Sequence, residues 1–135
     1  MRVILDTSIL LQAVAARNPL RPVFDAFILE RFELVVTTEI LLEYQELLGR
    51  KHRAEVANEL YALITEAPNL LFQETYFRWR LPFIDPDDQK FVDAYVAGNA
   101  DCLVSNDRHF GELRAAGFPA VRVVSAAAFL ELLAS

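Results

Sequence analysis

Cysteine and glycine are scarce in this sequence, and a long apolar run is missing altogether. The 135 residues include one cysteine, Cys102, and four glycines. A single cysteine excludes a disulfide framework and a cysteine-ligated zinc site, and its apolar neighbours predict a small core residue. The opening stretch reaches an acid, Asp6, directly after Val3, Ile4 and Leu5, so it lacks both the h-region of a signal peptide and a membrane span. We therefore expect a cytoplasmic protein.

Basic residues are also in short supply. Lysine and arginine total 13 against 19 acids, which gives a formal net charge of -6. Such a balance argues against a domain that holds nucleic acid through a broad basic face. It is compatible with carboxylates that are neutralised by divalent cations, with the basic run at residues 50–53 contacting phosphates from one side. A solvated helix end, where cations favour the dipole, explains that run equally well.

Apolar residues, in contrast, make up 54% of the chain, enough for the core of one domain over residues 1–135. Short apolar segments alternate with helical patterns. The predicted strands are 2–5, 34–37, 70–73, 102–104 and 120–123, and the predicted helices are 8–16, 23–31, 39–48, 53–66, 86–97, 110–115 and 125–133. This alternation predicts an α/β fold of three layers, α/β/α, with a central parallel sheet of four to five strands. Ligands then bind beyond the carboxyl ends of the strands, where the strand order reverses.

Two acids follow apolar strands directly. Asp6 comes after the first predicted strand, and Asp107 comes after the strand that begins at Cys102. Adjacent parallel strands lie about 4.8 Å apart, so two acids at the same edge of a sheet come close together. Each acid is also suited to cap the helix that follows it. The pair is therefore more informative than either acid alone.

A third acid is selected by helical spacing. The segment from Asp85 to Asp88 reads as a helix start, with Asp85 as N-cap and Pro86 at the first helical position. Asp88 precedes Phe91 and Val92 by three and four residues, so its carboxylate shares the inward face, which continues to residues 95 and 96. A carboxylate turned inward is costly unless it is paired or bound to a cation, which favours Asp88 as a ligand.

The helix at residues 39–48 supplies the fourth acid. Glu43 lies between Ile40 and Leu47 on the apolar row of this helix, whereas Glu39 and Glu46 share its outer face. The same cost of an inward carboxylate applies here. Glu43 is therefore the glutamate that we expect in a site.

The residues around these acids resemble the motifs of the PIN-domain family of nucleases over nearly the whole chain. The segments that carry the resemblance are Val3 to Ser8, Thr37 to Glu43, Asp85 to Phe91, and Asn99 to Asp107. Their order and spacing are more specific than any one motif, and the long third segment most resembles the subgroup described as toxins of toxin–antitoxin pairs. Asn106 departs from the glycine common in the family, and asparagine's tolerance of unusual backbone angles would accommodate it. Tyr95 stands where the family often has a small residue.

The resemblance implies a metal-dependent endoribonuclease that hydrolyses phosphodiester bonds of single-stranded RNA. It also implies a homodimer and a cognate antitoxin. Oxygen ligands suit Mg²⁺ or Mn²⁺, which would stabilise charge on the reacting phosphate oxygens. The predicted catalytic and metal-binding residues are Asp6, Asp88 and Asp107, with Glu43 completing the metal shell or positioning water, and the predicted hydroxyl donors to these carboxylates are Thr7 and Ser105.

Several other residues admit a functional interpretation. His109 could act as an accessory acid or phosphate contact, but a surface residue at a helix start explains it better. Arg78, Trp79 and Arg80 combine cations with an aromatic ring, a combination that can stack a base and hold phosphates. A tryptophan packed on the core between surface arginines explains that segment at least as well.

Two alternatives stand beside the nuclease. A receiver-like, Mg²⁺-binding signalling domain is also short, α/β and acidic, but it needs an Asp at the end of its third strand and a Lys at the end of its fifth. Neither residue is present here. A catalytically silent PIN-like scaffold that binds RNA or a protein partner is the second alternative. Measured metal binding and turnover would separate it from an enzyme.

Overall fold

The fold is organised around a parallel sheet with its first strand at the centre. The computed structural model describes residues 1–75, 85–110 and 120–135. The strands in these ranges are β1 (Arg2–Leu5), β2 (Glu33–Val36), β3 (Leu70–Phe72), β4 (Cys102–Val104) and β5 (Val123–Val124). They form a 5-stranded sheet in the order β3-β2-β1-β4-β5, and every pair is parallel. The predicted parallel sheet is thus confirmed.

Helices connect the strands and cover the sheet in a three-layer α/β/α arrangement. The helices of the described ranges are α1 (Thr7–Ala13), α2 (Arg21–Ile28), α3 (Thr38–Lys51), α4 (Ala54–Thr65), α5 (Gln89–Ala97), a 3-10 helix (Arg108–Phe110) and α6 (Ala126–Ala134). Helix α5 packs against β1, β2 and β4, and it also touches α3. None of the helices in these ranges is long and apolar enough to cross a membrane.

The strand order reverses between β1 and β4. The chain moves outward from β1 through β2 to β3, and then returns to place β4 on the other side of β1. In the register between these two strands Leu5 lies opposite Val104. The Asp6 amide then donates to the Val104 carbonyl at 3.0 Å, so Asp6 and Ser105 leave the sheet side by side. This reversal is where a ligand crevice is expected in a parallel α/β sheet.

The strands form the centre of the core because apolar side chains project from both faces of the sheet. Val3 and Ile4 of β1 and Leu103 of β4 have no exposed surface. Cys102 is buried with them as predicted, and burial raises the pKa of its thiol to about 11. Strands buried on both faces read as continuous apolar runs, which is why these segments could be recognised from sequence.

The start of α5 differs from the prediction. The helix begins at Gln89 and not at Pro86, and residues 86–88 form a turn. The Asp85 carboxylate accepts a hydrogen bond from the Asp87 amide at 2.9 Å, and the Asp85 carbonyl accepts one from the Asp88 amide at 2.8 Å. Asp85 therefore caps a turn and not the helix. An Asp side chain can accept an amide two residues later in a turn as well as at a helix start, so the sequence pattern fits both.

The inward face of α5 also differs. Phe91 and Val92 are buried as predicted, but Asp93 and Ala94 are buried as well, and Val96 is 42% exposed. A helix in contact with three strands and with α3 buries more than one stripe, so simple periodicity misplaced the end of this face.

Two further boundaries near the end of the chain differ from the prediction. The last strand is Val123–Val124, shorter and later than the predicted 120–123. The helix predicted at 110–115 is preceded by the 3-10 turn Arg108–Phe110, and residues 111–115 lie outside the described residues. Such shifts are ordinary for helix and strand ends, where few hydrogen bonds fix the boundary.

Candidate active site

Asp6 and Asp107 lie at the carboxyl ends of adjacent strands and share a hydroxyl between them. The buried Ser105 hydroxyl donates to Asp6 Oδ2 at 2.7 Å and accepts the Asp107 amide at 3.0 Å. Asp6 occupies the N-cap position of α1 but forms no side-chain capping hydrogen bond, although the Ser8 amide is near enough to favour its charged form. Ser105 therefore fixes the relative positions of the two acidic segments.

Glu43 reaches the same edge from α3. The N-cap of this helix is Thr37, which directly follows β2 and accepts the Ile40 amide at 3.3 Å. Glu43 lies one and a half turns further on, where its Oε2 accepts a hydrogen bond from the buried Thr7 hydroxyl at 2.5 Å. Both residues predicted as hydroxyl donors, Thr7 and Ser105, therefore do contact carboxylates of this group.

Asp88 completes the group from the turn that precedes α5. The pKa of its carboxyl is raised from 3.8 to about 6, first by burial and then by the charges of Asp6, Asp107 and Asp85. The pKa of Asp6 is raised too, chiefly by burial, with smaller contributions from Asp107 and Glu43. Carboxylates that raise one another's pKa in this way lie in the same region of the protein. The structure thus brings together the acids that sequence spacing selected separately.

Two residues near these acids were missed at the sequence level. Tyr44 is fully buried and donates to the Leu5 carbonyl at 2.5 Å, so it supports the strand end from which Asp6 projects. Burial, together with the charges of Asp6 and Glu43, raises the pKa of Tyr44 well above its usual value. In the sequence Tyr44 looked like a core residue in the apolar row of α3. The spacing alone does not distinguish a core residue from one that also supports the site.

Lys90 is the second missed residue. Its ammonium lies 3.5 Å from Glu43 Oε1, and its charge lowers the pKa of Asp88. It therefore lies between the acid of α3 and the acid that precedes α5. The sequence offered a partial signal, since a lysine in the first turn of a helix opposes the helix dipole and suggests a nearby acid.

Other expectations fare differently. Asn106 does not adopt a left-handed backbone. Its side-chain oxygen instead accepts the Ala126 amide at 2.9 Å at the start of α6, so Asn106 helps to cap that helix. His109 lies in the 3-10 helix with a side chain 72% exposed, and its Nδ1 is 3.2 Å from Asp107 Oδ1. It is a surface residue at a helix start, as the simpler interpretation held, although it touches one of the acids.

The basic residues of α3 that were considered as phosphate contacts do not lie beside these acids. Arg50 and Lys51 lie in the last turn of α3, and Arg50 is paired with Glu46 at 2.6 Å. Lys51 is eight residues beyond Glu43, a distance of about 12 Å along the helix axis. The simpler interpretation of a solvated helix end fits this run. Arg78, Trp79 and Arg80 lie outside the described residues.

The donor chemistry of Asp6, Asp88 and Asp107 fits a hard divalent cation. Each contributes carboxylate oxygens, the ligands that Mg²⁺ and Mn²⁺ prefer, and the pKa of Asp88 is raised chiefly by burial and further by the neighbouring carboxylates. Within residues 1–75, 85–110 and 120–135, however, no three His, Cys, Asp or Glu side chains are gathered closely enough to form a ready metal cage. The residues therefore fit the cation by the chemistry of their donor atoms.

This chain is similar to known proteins in fold and matches a protein family in sequence. A chain in the crystal structure of VapBC2 from Rickettsia felis bound to a DNA fragment from their promoter has a similar fold, with a TM-score of 0.62 and 14% sequence identity. The match covers 93% of this chain and 98% of that chain, and at this identity it shows the fold alone. No curated protein sequence matches. The PIN-domain family model matches residues 2–109, and the chain therefore belongs to the PIN-domain family.

Proposed function

We propose that this chain is a metal-dependent endoribonuclease that hydrolyses single-stranded RNA, and that it is the toxin of a type II toxin–antitoxin pair. One observation carries the proposal. Asp6 and the Asp107 amide share the Ser105 hydroxyl at the reversal of strand order, and the charges of both acids help to raise the pKa of Asp88, in a chain that belongs to a family of nucleases. Excess negative charge at such a point is costly to a fold and useful for holding a divalent cation.

The residues of this site would divide the chemistry between them. Asp6, Asp88 and Asp107 would hold Mg²⁺ or Mn²⁺, and Glu43 would complete the shell or position the attacking water. The cation, when bound, supplies Lewis-acid stabilisation of the charge that develops on the phosphate oxygens. The Thr7 and Ser105 hydroxyls orient Glu43 and Asp6, so that these carboxylates present fixed oxygen atoms.

The partners follow from the family likeness more than from geometry. The similar chain comes from a structure named for VapBC2 and a DNA fragment from their promoter, which supports a cognate antitoxin for this protein. We extend the proposal to a cytoplasmic homodimer. Size-exclusion chromatography with light scattering, on the chain alone and co-expressed with the product of an adjacent reading frame, would test both assemblies.

The central test measures cleavage of single-stranded RNA with Mg²⁺ or Mn²⁺ by the wild type, Asp6→Asn and Asp88→Asn. We expect both variants to lose activity while keeping the wild-type circular dichroism spectrum, because each removes one ligand charge. Asp25→Asn is the matched control, since Asp25 is exposed on α2 and paired with Arg21. Full activity in both site variants would show that Asp6 and Asp88 are not part of a nuclease active site. Matched single-stranded DNA and duplex RNA substrates test the substrate class.

A cellular test addresses the toxin. Expression of the wild type should arrest growth and create new RNA ends, and Asp6→Asn should do neither. A silent scaffold would give no cleavage in any variant and no new RNA ends. The receiver-like alternative is already disfavoured, because the strand order found here is not the 2-1-3-4-5 order of that fold.

A further inference from the structure

Lys90 occupies a place that its own helix disfavours. It lies in the first turn of α5, where the positive end of the helix dipole repels a cation. Its side chain is only 12% exposed, and its ammonium lies 5.1 Å from the centroid of the Phe91 ring. The ammonium also donates to the Asp87 carbonyl. Something other than helix stability must account for a largely buried cation in this position.

Glu43 provides that account. Its Oε2 accepts the Thr7 hydroxyl at 2.5 Å, and its Oε1 lies 3.5 Å from the Lys90 ammonium. One carboxylate oxygen of Glu43 therefore accepts a hydrogen bond, and the other faces the positive charge of Lys90. A metal ion that bound this carboxylate directly would have to compete with the Lys90 charge beside it.

The three aspartates differ from Glu43 in this respect. Asp6 accepts the Ser105 hydroxyl, and the Ser8 amide also favours its charged form. Asp107 accepts the His109 amide on Oδ1, and His109 Nδ1 lies 3.2 Å from the same oxygen. Within residues 1–75, 85–110 and 120–135, none of these aspartates forms an ion pair with a lysine or arginine, as Glu43 does.

We propose that Lys90 is a positioning residue: a built-in counter-cation that neutralises Glu43 and keeps it out of direct metal coordination. Asp6, Asp88 and Asp107 then hold a single divalent ion, and Glu43 acts through water. This inference rests on the proposed function, and it chooses between the two roles that the sequence left open for Glu43. A direct phosphate contact by Lys90 is the competing role, but its side chain is mostly buried and its ammonium already has two oxygen partners.

The chain provides its own control, because it contains only two lysines, Lys51 and Lys90. Mn²⁺ binding is measured by titration calorimetry, and melting temperature is measured with and without Mn²⁺, for the wild type, Lys90→Met, Lys90→Arg and Lys51→Met. Methionine keeps the apolar stem of Lys90 without its charge. Arginine keeps the charge, and Lys51 lies exposed in the last turn of α3.

For Lys90→Met we expect about tenfold tighter Mn²⁺ binding, because a nearby positive charge no longer competes with the ion. We also expect its metal-free form to melt about 3 °C lower, with most of the loss recovered in Mn²⁺. A second Mn²⁺ per chain in this variant would support the counter-cation role further. Lys90→Arg and Lys51→Met should match the wild type in both measurements.

Three results would overturn the inference. Unchanged or weaker Mn²⁺ binding in Lys90→Met would show that Lys90 does not stand in for a cation. Equal losses of melting temperature with and without Mn²⁺ would show that Lys90 is only a packing residue. Cleavage of a short RNA by Lys90→Met with unchanged kcat and a raised KM would point to the phosphate contact instead.

A double-mutant cycle between Lys90→Met and Glu43→Gln separates this inference from the proposed function. The two metal-free changes in melting temperature should be strongly non-additive, because each variant removes one partner of the same ion pair. If the wild type bound no Mn²⁺ at millimolar concentration, the nuclease and the metal half of the inference would both fail. The cycle would still decide whether Lys90 neutralises Glu43, and additive changes would overturn that half.

Discussion

Two acids bracket β4 and meet opposite surroundings. Asp101, before the strand, accepts the Arg2 amide at 2.7 Å, and the Arg2 side chain lies in the same corner, bonded to the Gly98 carbonyl at 3.1 Å. Asp107, after the strand, has Asp6 and Asp88 as charged neighbours. The amino end of the sheet thus balances its charges, while the carboxyl end accumulates acid. Balanced charge serves the fold, whereas an excess of one sign is what a cation site requires.

The sharpest way to break this comparison is to neutralise each acid in turn. Asp107→Asn should reduce metal-dependent RNA cleavage about a thousandfold or more, because it removes a charge that would hold the ion. Asp101→Asn keeps an oxygen acceptor for the Arg2 amide and should change cleavage less than about twofold. Initial rates at saturating Mn²⁺ provide the measurement. Equal losses in the two variants would show that the ends of β4 do not differ in function.

Ser105 tests whether the carboxyl end depends on fixed positions as well as on charge. Ser105→Ala removes the hydroxyl that joins Asp6 to the Asp107 amide, and we expect a loss of about 10- to 100-fold in Mn²⁺ affinity or activity. Ser105→Thr keeps the hydroxyl and should retain most of both. Calorimetric Mn²⁺ titration of the two variants gives the answer. An alanine variant with wild-type affinity would mean that Asp6 needs no such support.

Much of this carboxyl end could be predicted because it depends on local rules. Asp6 and Asp107 follow buried strands, and parallel strands place such residues at one edge. Asp88 was selected by helical spacing to Phe91 and Val92, which are buried as predicted, but α5 starts at Gln89 and Asp88 lies in the turn before it. Spacing along one segment tolerates an error of a few residues in where the helix begins.

What could not be predicted depends on contacts between segments. The pairing of Lys90 with Glu43 joins α5 to α3, and neither helix's sequence contains the distance between them. Asn106 was assigned a backbone role because asparagine tolerates unusual angles, yet its amide caps α6, twenty residues later in the chain. Long-range hydrogen bonds of this kind follow from the packed fold, so residue type alone suggested the wrong reason.

Asp88 offers a comparison in terms of stability. Its pKa is raised from 3.8 to about 6, so the folded state holds this proton more tightly than the unfolded chain. The contribution to stability is complete below about pH 4 and is lost as the pH rises through 6. Without metal, the wild type should therefore lose about 1.5 kcal/mol relative to Asp88→Asn between pH 4 and pH 7.5, a value reduced for solvent screening.

Urea unfolding of both proteins across this pH range, in the presence of EDTA, measures that difference. Asp87→Asn is the control, since Asp87 is exposed in the same turn and should run parallel to the wild type. Saturating Mg²⁺ should reverse the order at pH 7.5 by stabilising only the protein that keeps the carboxylate. If the difference in unfolding free energy between wild type and Asp88→Asn were constant with pH, the pKa of Asp88 would be the same in the folded and unfolded states.

The smallest effect is expected at the balanced end. Arg2 pairs with Glu33 at 3.8 Å, and both side chains are more than 40% exposed, at 42% and 47%. Arg2→Met should therefore cost only about 0.5 kcal/mol of unfolding free energy, and less in high salt, because exposed pairs are weak and screened. Mn²⁺ affinity should stay at the wild-type value, since the guanidinium lies at the opposite end of β1 from Asp6. Urea unfolding at low and high salt, beside calorimetry, checks both statements, and a changed Mn²⁺ affinity would mean that the two ends of the sheet are electrostatically coupled.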